Sequence, residues 1–252
     1  MTISVCLPAV NEQATIGTVL QPLCAELQKG LIHQLVVVDQ STDRTPDIAW
    51  ALGAEVYTQS DLMAHLGPVV GKGDAMYRSL SVLIGDIIVW LDADSESIGH
   101  DWVLRLAQPI IEGGADYVKA YYRRPLGADR DGGGRLNHLF GAPLLRAFWP
   151  EIGWVKQPLA GETAIVRDLA ERLPFELGMA IEPALTIDAY RYGGRLAQVD
   201  LGVHRHRHHP LRKLAARTDE ALAAVLDRAG VEHGLQVPPK RAALRAALVM
   251  PS

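Results

Sequence analysis

The chain has 252 residues, 48% of them hydrophobic and 21% charged, with a net charge of -4. This describes a globular protein of one large domain, or one domain with a small appendage, able to bury a sizeable core. The acidic balance excludes a general nucleic-acid binder, which needs a basic face for phosphates, and the opening "MTISVCLP" carries neither a signal-peptide pattern nor a membrane-length apolar run.

The first half alternates. "ISVCLP" (Ile3 to Pro8) is an apolar run of strand length, after which Ile16, Val19, Leu20, Leu23 and Leu27 recur at helical spacing. "QLVVVD" (Gln34 to Asp39) is the next strand. It runs into "QSTDRTPD", where Thr45 suits a helix cap and Pro46 its first turn. "AEVYT" (Ala54 to Thr58) is a weaker strand, and "GKGDAMYRSLSVLIG" (Gly71 to Gly85) a Gly-rich turn followed by a helix. "DIIVWLD" (Asp86 to Asp92) is the fourth strand. Continuous apolar strands alternating with amphipathic helices predict an α/β fold, a mostly parallel sheet covered on both faces. Cys6 and Cys24 fall in a strand and a helix and read as buried free thiols, which fits a cytoplasmic protein.

The second half is less regular. "ADYVKAYY" (Ala115 to Tyr122) and "LAQVDLG" (Leu196 to Gly202) read as strands, "GADRDGGGR" (Gly127 to Arg135) as a mobile loop, and "ELGMAIEPALTIDAYRYG" (Glu176 to Gly193) contains a helix. After "HRHRHHP" comes a long helix with Leu211, Leu214, Leu222, Val225 and Ala229 on one face; "VPPK" ends it, and "RAALRAALVM" is a short terminal helix. The apolar stripe of the long helix either packs on a second copy of the chain or closes the core of its own subunit.

Ligands of open parallel sheets bind at the carboxyl ends of the strands. Three such ends are polar here: "PAVNE", "DQSTD" and "DADSES". Neither the dinucleotide fingerprint G-x-G-x-x-G nor a P-loop is present. Asp92 and Asp94 flank a single alanine and repel each other unless a cation intervenes. An Asp-x-Asp at a strand end therefore suits a hard divalent ion whose shell is completed by a diphosphate. The plainer alternative is a solvated turn in which Asp94 or Ser95 caps the next helix. "HRHRHH" (His204 to His209) is either a basic surface loop or the source of one imidazole for that site, which would favour manganese over calcium. Lys72 between glycines is a phosphate ligand or a solvated charge. Glu182 inside "GMAIEPAL" is costly unless paired or functional, although the first turn of a helix also favours an acid. Arg123, Arg124 and Arg135 with Gly132 to Gly134 form an anion pocket or belong to a disordered loop.

In chain order, "PAVNEQATIGTVL", "VVVDQSTDRT", "GKGDAMYRSL", "LDADS", "VKAYYRRPL", "GGGR", "QPLAGE", "LPFELGMAIEPALTID" and "QVDLGVHRHRHHPL" together resemble the retaining GT-A glycosyltransferases that make glucosyl-3-phosphoglycerate. The resemblance runs from about residue 3 to about residue 215. It implies a GT-A fold, a Rossmann-like sheet with C-terminal helices. Residues 1–98 would be the nucleotide-sugar-binding half of one domain, 99–210 its acceptor-binding half, and 211–252 a helical extension. Pro8, Ala9, Val10, Glu12 and Gln40 would hold the nucleobase and ribose side, and Lys72 would reach the diphosphate and sugar. Asp92 with Ala93 would touch the sugar or ribose, and Asp94 and His206 would bind Mg2+ or Mn2+. Leu159 would offer its backbone beside the anomeric carbon, and Glu182 would hydrogen-bond the donor sugar and help place the acceptor. Gly134, Arg135, Asn137, His204 and His208 would line the acceptor pocket. The resemblance implies a cytoplasmic homodimer that uses UDP-glucose and 3-phosphoglycerate, with no nucleic acid or membrane partner.

The departures fall on the acceptor side. "GGGRLN" places Asn137 where family members carry a threonine, and "VHRHRH" places His204 for an arginine and His208 for an asparagine. "DQSTD" shortens the family's "DSGSTD". An arginine fork suits a phosphate, so these changes leave open a different small acceptor. A nucleotide-sugar binding protein without activity is a third alternative, opposed by the intact Lys72, Asp92, Asp94 and Glu182.

Overall fold

The computed structural model describes residues 1–96, 98–126, 128–129, 132–205 and 211–249. Strand β1 (Ile3–Ala9) is followed by α1 (Ile16–Gln28), β2 (Gln34–Asp39), α2 (Thr45–Ala51), β3 (Glu55–Thr58), α3 (Gly71–Ser79) and β4 (Ile87–Trp90). Then come α4 (Trp102–Ile111), β5 (Tyr117–Arg123), α5 (Ala142–Phe148), β6 (Thr163–Val166), α6 (Arg167–Arg172) and β7 (Phe175–Glu176). The chain continues through α7 (Ile181–Arg191), β8 (Leu196–Val203), α8 (Leu211–Ala229), β9 (Lys240–Arg241) and α9 (Leu244–Val249).

Seven strands form one sheet in the order β3-β2-β1-β4-β6-β5-β8. β1 pairs in parallel with β2 and β4, β2 with β3, and β5 with β8. β6 runs antiparallel to both of its neighbours, β4 and β5. The mostly parallel sheet is present, with a reversed strand that the sequence pattern did not announce. "TAIV" is four residues long and passes into α6 without a turn, too short for a period to register.

Alternate residues of each central strand point to opposite faces. Val5, Leu7, Val37 and Val89 pack with Val19, Leu20 and Leu23 of α1 and Val103 and Leu106 of α4. Cys6, Val36, Val38 and Trp90 pack on the other side with Met76, Leu169, Ile181 and Leu185 from α3, α6 and α7. Burial on both faces explains why these strands read as continuous apolar runs. Cys6 and Cys24 are free and buried. No helix among the described residues is long and apolar enough to cross a membrane.

The far end of α8 packs on its own chain. Val225 joins Leu145, Trp149 and Ile187 in a third apolar cluster. Arg228 donates to Asp188 Oδ1 at 3.0 Å and to Glu176 Oε1 at 2.7 Å, tying α8 to α7 and β7.

Candidate active site

Parallel pairing puts the carboxyl ends of β1, β2 and β4 on one edge, where polar loops stitch them together. Asn11 N–H donates to Ser41 Oγ at 2.7 Å, Thr42 N–H to Asn11 Oδ1 at 2.9 Å, and Glu12 N–H to Thr45 Oγ1 at 2.8 Å. Thr15 Oγ1 donates to the Ala93 carbonyl at 3.0 Å and brings in the third strand end. A cavity of about 460 Å3 opens there. Pro8, Val10, Glu12 and Gln40 line it from the first two strand ends, and Asp92, Ala93 and Asp94 from the third. Lys72 comes from the start of α3 and Glu182 from the first turn of α7. Gly134, Arg135, Asn137 and Leu159 complete the set. Ala9 does not line the cavity: it is a buried strand residue whose carbonyl accepts the Gln40 N–H at 3.1 Å.

Lys72 is the hub. Its Nζ lies 2.5 Å from Asp92 Oδ1 and 2.5 Å from Glu182 Oε1, and Lys119 Nζ holds the other oxygen of Glu182 at 2.9 Å. Two ammoniums face two carboxylates, so each buried charge is compensated. Burial works against the Lys72 charge, yet Asp92 and then Glu182 raise it above the ordinary lysine range. Burial likewise opposes the Asp92 charge, but the Lys72 ammonium outweighs it and holds the carboxyl at about 2. Gly161 is required beside this pair, because a Cβ there would overlap the Asp92 carboxylate. α3 can begin here because Gly71 adopts φ +74, a left-handed conformation that glycine takes at no steric cost.

Asp94 is different. Among the described residues its carboxylate has neither a hydrogen bond nor an ion pair, and burial, then the charge of Asp92, push it up to about 6. Glu162, fully buried, is raised to about 7 by burial and Asp92, and accepts the Tyr122 hydroxyl at 2.7 Å. An uncompensated carboxylate facing a cavity beside a second one fits a divalent cation, which would relieve the repulsion. No group of three or more metal-ligating side chains is present among the described residues. The protein would supply part of the shell and a diphosphate the rest. His206 lies outside the described residues; the Arg205 carbonyl accepts the Glu96 N–H at 2.9 Å.

On the acceptor side, Asn137 Oδ1 accepts the Leu159 N–H at 2.8 Å. His204 needs correction. It is 1% exposed and does not line the cavity; its ring packs edge-on against Trp102 and Tyr122, and Nε2 lies 2.9 Å from Ser95 Oγ. Burial and then the Arg124 charge keep it neutral, down to about 3. It braces the Asp92–Ser95 turn from outside the cavity. His208 lies outside the described residues. Two side chains at the site escaped the sequence reading, Lys119 and Glu162; Arg124, which that reading offered for an anion pocket, lines the cavity. Lys119 carried a signal, a cation inside the apolar strand "DYVKAYY", costly unless paired. Glu162 carried none.

The description "Glycosyl transferase family 2" matches residues 4–161, which span the three strand ends, the carboxylate pair and Leu159. A glucosyl-3-phosphoglycerate synthase of Mycobacterium tuberculosis is 42% identical over 241 residues, 91% of this chain and 74% of that one. The crystal structure of such a synthase from Mycobacterium tuberculosis, in complex with Mn2+, UDP-glucose and phosphoglyceric acid, superposes with a TM-score of 0.88. It is 37% identical, and the match covers 98% of this chain and 91% of that one. A second structure, in complex with Mg2+ and UDP, matches with the same TM-score of 0.88 and 37% identity, over 98% of this chain and 92% of that one. The reversed β6 beside parallel β1 to β4, the paired carboxylates at the end of β4 and these matches agree on the GT-A fold: the chain belongs to glycosyl transferase family 2 and is a glycosyltransferase similar to the glucosyl-3-phosphoglycerate synthases.

Proposed function

We propose that this chain is a metal-dependent, retaining hexosyltransferase that moves glucose from UDP-glucose to 3-phosphoglycerate. The observation that carries the reading is Lys72, held between Asp92 and Glu182 in a cavity that the guanidiniums of Arg124 and Arg135 also line. The ligands named for the mycobacterial structures support the same donor, metal and acceptor.

Pro8, Val10, Glu12 and Gln40, with Ala9 in the strand beneath, take the nucleobase and ribose side. Asp94, with His206, would hold Mn2+ or Mg2+, which supplies charge neutralisation for a leaving diphosphate. Lys72 is charged and stabilises the same oxygens. Asp92 orients Lys72 and the donor sugar or ribose. The Leu159 N–H is taken by Asn137, so the carbonyl is the backbone group left to face the anomeric carbon. Glu182, gripped on both oxygens, orients the sugar and the acceptor. Arg124, Arg135 and Gly134 meet the acceptor's anionic groups, with His208 expected beside them. The acceptor hydroxyl attacks from the face the diphosphate leaves. Its oxygen bonds the anomeric carbon as the bond to the diphosphate breaks, and its proton passes to a diphosphate oxygen. Double displacement through Glu182 is the other route to retention; two ammoniums on that carboxylate oppose it.

The test is a calorimetric titration of UDP-glucose with and without Mn2+, repeated with 3-phosphoglycerate, and a determination of the product's anomeric configuration. The reading expects binding only with metal, turnover with retention, and loss of metal-dependent UDP binding in Asp94→Asn. Absence of turnover with 3-phosphoglycerate despite donor binding selects a second reading, a different small acceptor. That reading is favoured by Asn137, which is committed to Leu159, and by the buried His204. The family's cytoplasmic homodimer, without nucleic-acid or membrane partners, belongs to the same proposal. Light scattering tests the dimer, since Val225 on α8 already packs within its own chain.

A further inference from the structure

A second cavity, of about 400 Å3, is lined by Arg123, Arg124, Arg146, Lys156, His138 and Asp200, among other residues. The sequence folds this way because β5 shifts register between Tyr121 and Arg123, an irregularity that re-aims the side chains beyond it. Gln157 fixes the shifted strand by donating from Nε2 to the Tyr122 carbonyl at 2.7 Å. Lys156 is held by its cation–π contact, Nζ lying 3.8 Å from the Tyr121 ring centroid.

The charge is one-sided. Arg123, Arg124, Arg146 and Lys156 are basic, and Asp200 is the one carboxylate among the lining residues. Asp200 also accepts the Gly202 N–H at 2.8 Å. Arg123, Arg146 and Lys156 form no ion pair with a carboxylate among the described residues. A chain with a net charge of -4 has nevertheless gathered these cations around one hollow. Unpaired like charges at close quarters are unfavourable until an anion sits among them, and guanidinium forks with an ammonium match phosphate oxygens.

The two cavities share a wall. Arg124 lines both, donates to the Tyr122 hydroxyl, and has a buried Nε without a hydrogen-bond partner among the described residues. Gly133 N–H donates to the Arg124 carbonyl at 2.8 Å, and a Cβ on Gly133 would approach that oxygen to 2.6 Å. The loop bearing Gly134 and Arg135 therefore rests directly on Arg124.

We propose that this second cavity is an anion site for a small phosphate-bearing metabolite, separate from the sugar-transfer cavity and sharing Arg124 with it. The proposal does not rest on the transfer reading.

The experiment is calorimetric titration of the full chain with inorganic phosphate at constant ionic strength, without metal or nucleotide. Arg146 and Lys156 are exposed and belong to the second cavity alone. The expected result is saturable binding that weakens about tenfold or more in the Arg146→Ala/Lys156→Ala variant and persists in Arg135→Ala. Thermal unfolding verifies that the double variant is folded; if it is not, Arg123→Gln, also exposed, takes its place. Absence of saturable binding, binding unchanged in the double variant, or binding lost only in Arg135→Ala would each overturn the proposal. A second titration with 3-phosphoglycerate separates the two sources. A binding event present in the wild type and missing in the double variant makes the acceptor itself the occupant. No such loss, with phosphate binding still weakened, makes it a distinct metabolite.

Discussion

Lys119 Nζ donates to Glu182 Oε2 at 2.9 Å while Lys72 Nζ occupies Oε1 at 2.5 Å, so one buried carboxylate is gripped on both oxygens. A group held this way is fixed in position, and it orients ligands better than it attacks carbon. Lys119→Met removes one of the two cations and leaves a side chain of similar length. The expected loss is about 3 kcal/mol in urea unfolding, because part of a buried charge loses its partner. Turnover falls about tenfold through misplacement of the sugar, while UDP affinity is maintained, since Lys119 does not line the cavity. Steady-state kinetics beside UDP titration checks the split; equal losses in both would assign Lys119 a purely structural part.

Asn137 supplies a separate lever on the same chemistry. Its Oδ1 satisfies the Leu159 N–H, so in the proposed mechanism only the Leu159 carbonyl is left for the anomeric carbon. Asn137→Ala leaves a backbone donor without its partner, at a cost of about 1–3 kcal/mol, and loosens the segment beside the reacting carbon. The expected result is a fall in kcat with an unchanged UDP dissociation constant, and partial rescue by Asn137→Thr, whose hydroxyl also accepts. Failure of the threonine to rescue would mean that the amide's length, not its oxygen, is what the turn needs.

These two arrangements mark the limit of what the sequence displays. The strand ends were legible because each follows a run of apolar residues, and period and polarity change together at Pro8, Asp39 and Asp92. Strand β2 and helix α8 fall on the residues expected for them. The helix expected after a Gly-rich turn within residues 71–85 begins at Gly71 itself and stops at Ser79, since the chain must turn back to enter β4. Which side chains meet was legible only through the resemblance. The Lys119–Glu182 pair joins residues 63 apart in sequence, and no local pattern encodes such a pairing. His204 shows the opposite failure. A basic tract looks solvated in sequence, yet its first histidine is buried between Trp102 and Tyr122, because Arg123 pairs with Val203 and accepts the His204 N–H at the end of β8.

Glu26 gives a pH dependence away from the cavity. It is buried on α1, neither carboxyl oxygen has a partner among the described residues, and burial, then Asp101, raise its pKa from 4.5 to about 7. A carboxyl whose pKa is higher in the folded state binds its proton more tightly there. Stability therefore falls as pH rises from 4.5 through about 7, and the penalty is complete above that window. Glu26→Gln removes the charge and keeps the shape. The variant should gain about 2 kcal/mol over the wild type near pH 8 and about nothing near pH 4, by urea unfolding at both. A gain that is the same at both pH values would show that the amide hydrogen-bonds, and that ionisation of Glu26 is not the cause.

Asp74 connects the C-terminal strand to the helix that carries Lys72. It is fully buried, accepts the Val70 N–H at 3.0 Å, and receives Arg241 Nε at 3.0 Å and Nη2 at 3.1 Å, with Arg78 beside it. Burial alone would raise its pKa; the Arg241 hydrogen bonds, the Val70 N–H and the charges of Arg241 and Arg78 together outweigh that and hold it below the ordinary carboxylate range. Its contribution is thus present above that range and lost as pH falls through the lowered value. Asp74→Asn leaves the Arg78 and Arg241 guanidiniums without their carboxylate, and the expected cost is about 3–5 kcal/mol at neutral pH. Arg241→Ala leaves Asp74 still paired with Arg78 and should cost less, about 1–2 kcal/mol. Both loosen the start of α3, so UDP-glucose affinity should fall in the same order as stability. A stability loss from Arg241→Ala equal to that from Asp74→Asn would place the energy of this corner in the pairing of β9 with β7, because the hydrogen bonds to Val70 and Arg78 would then contribute nothing measurable.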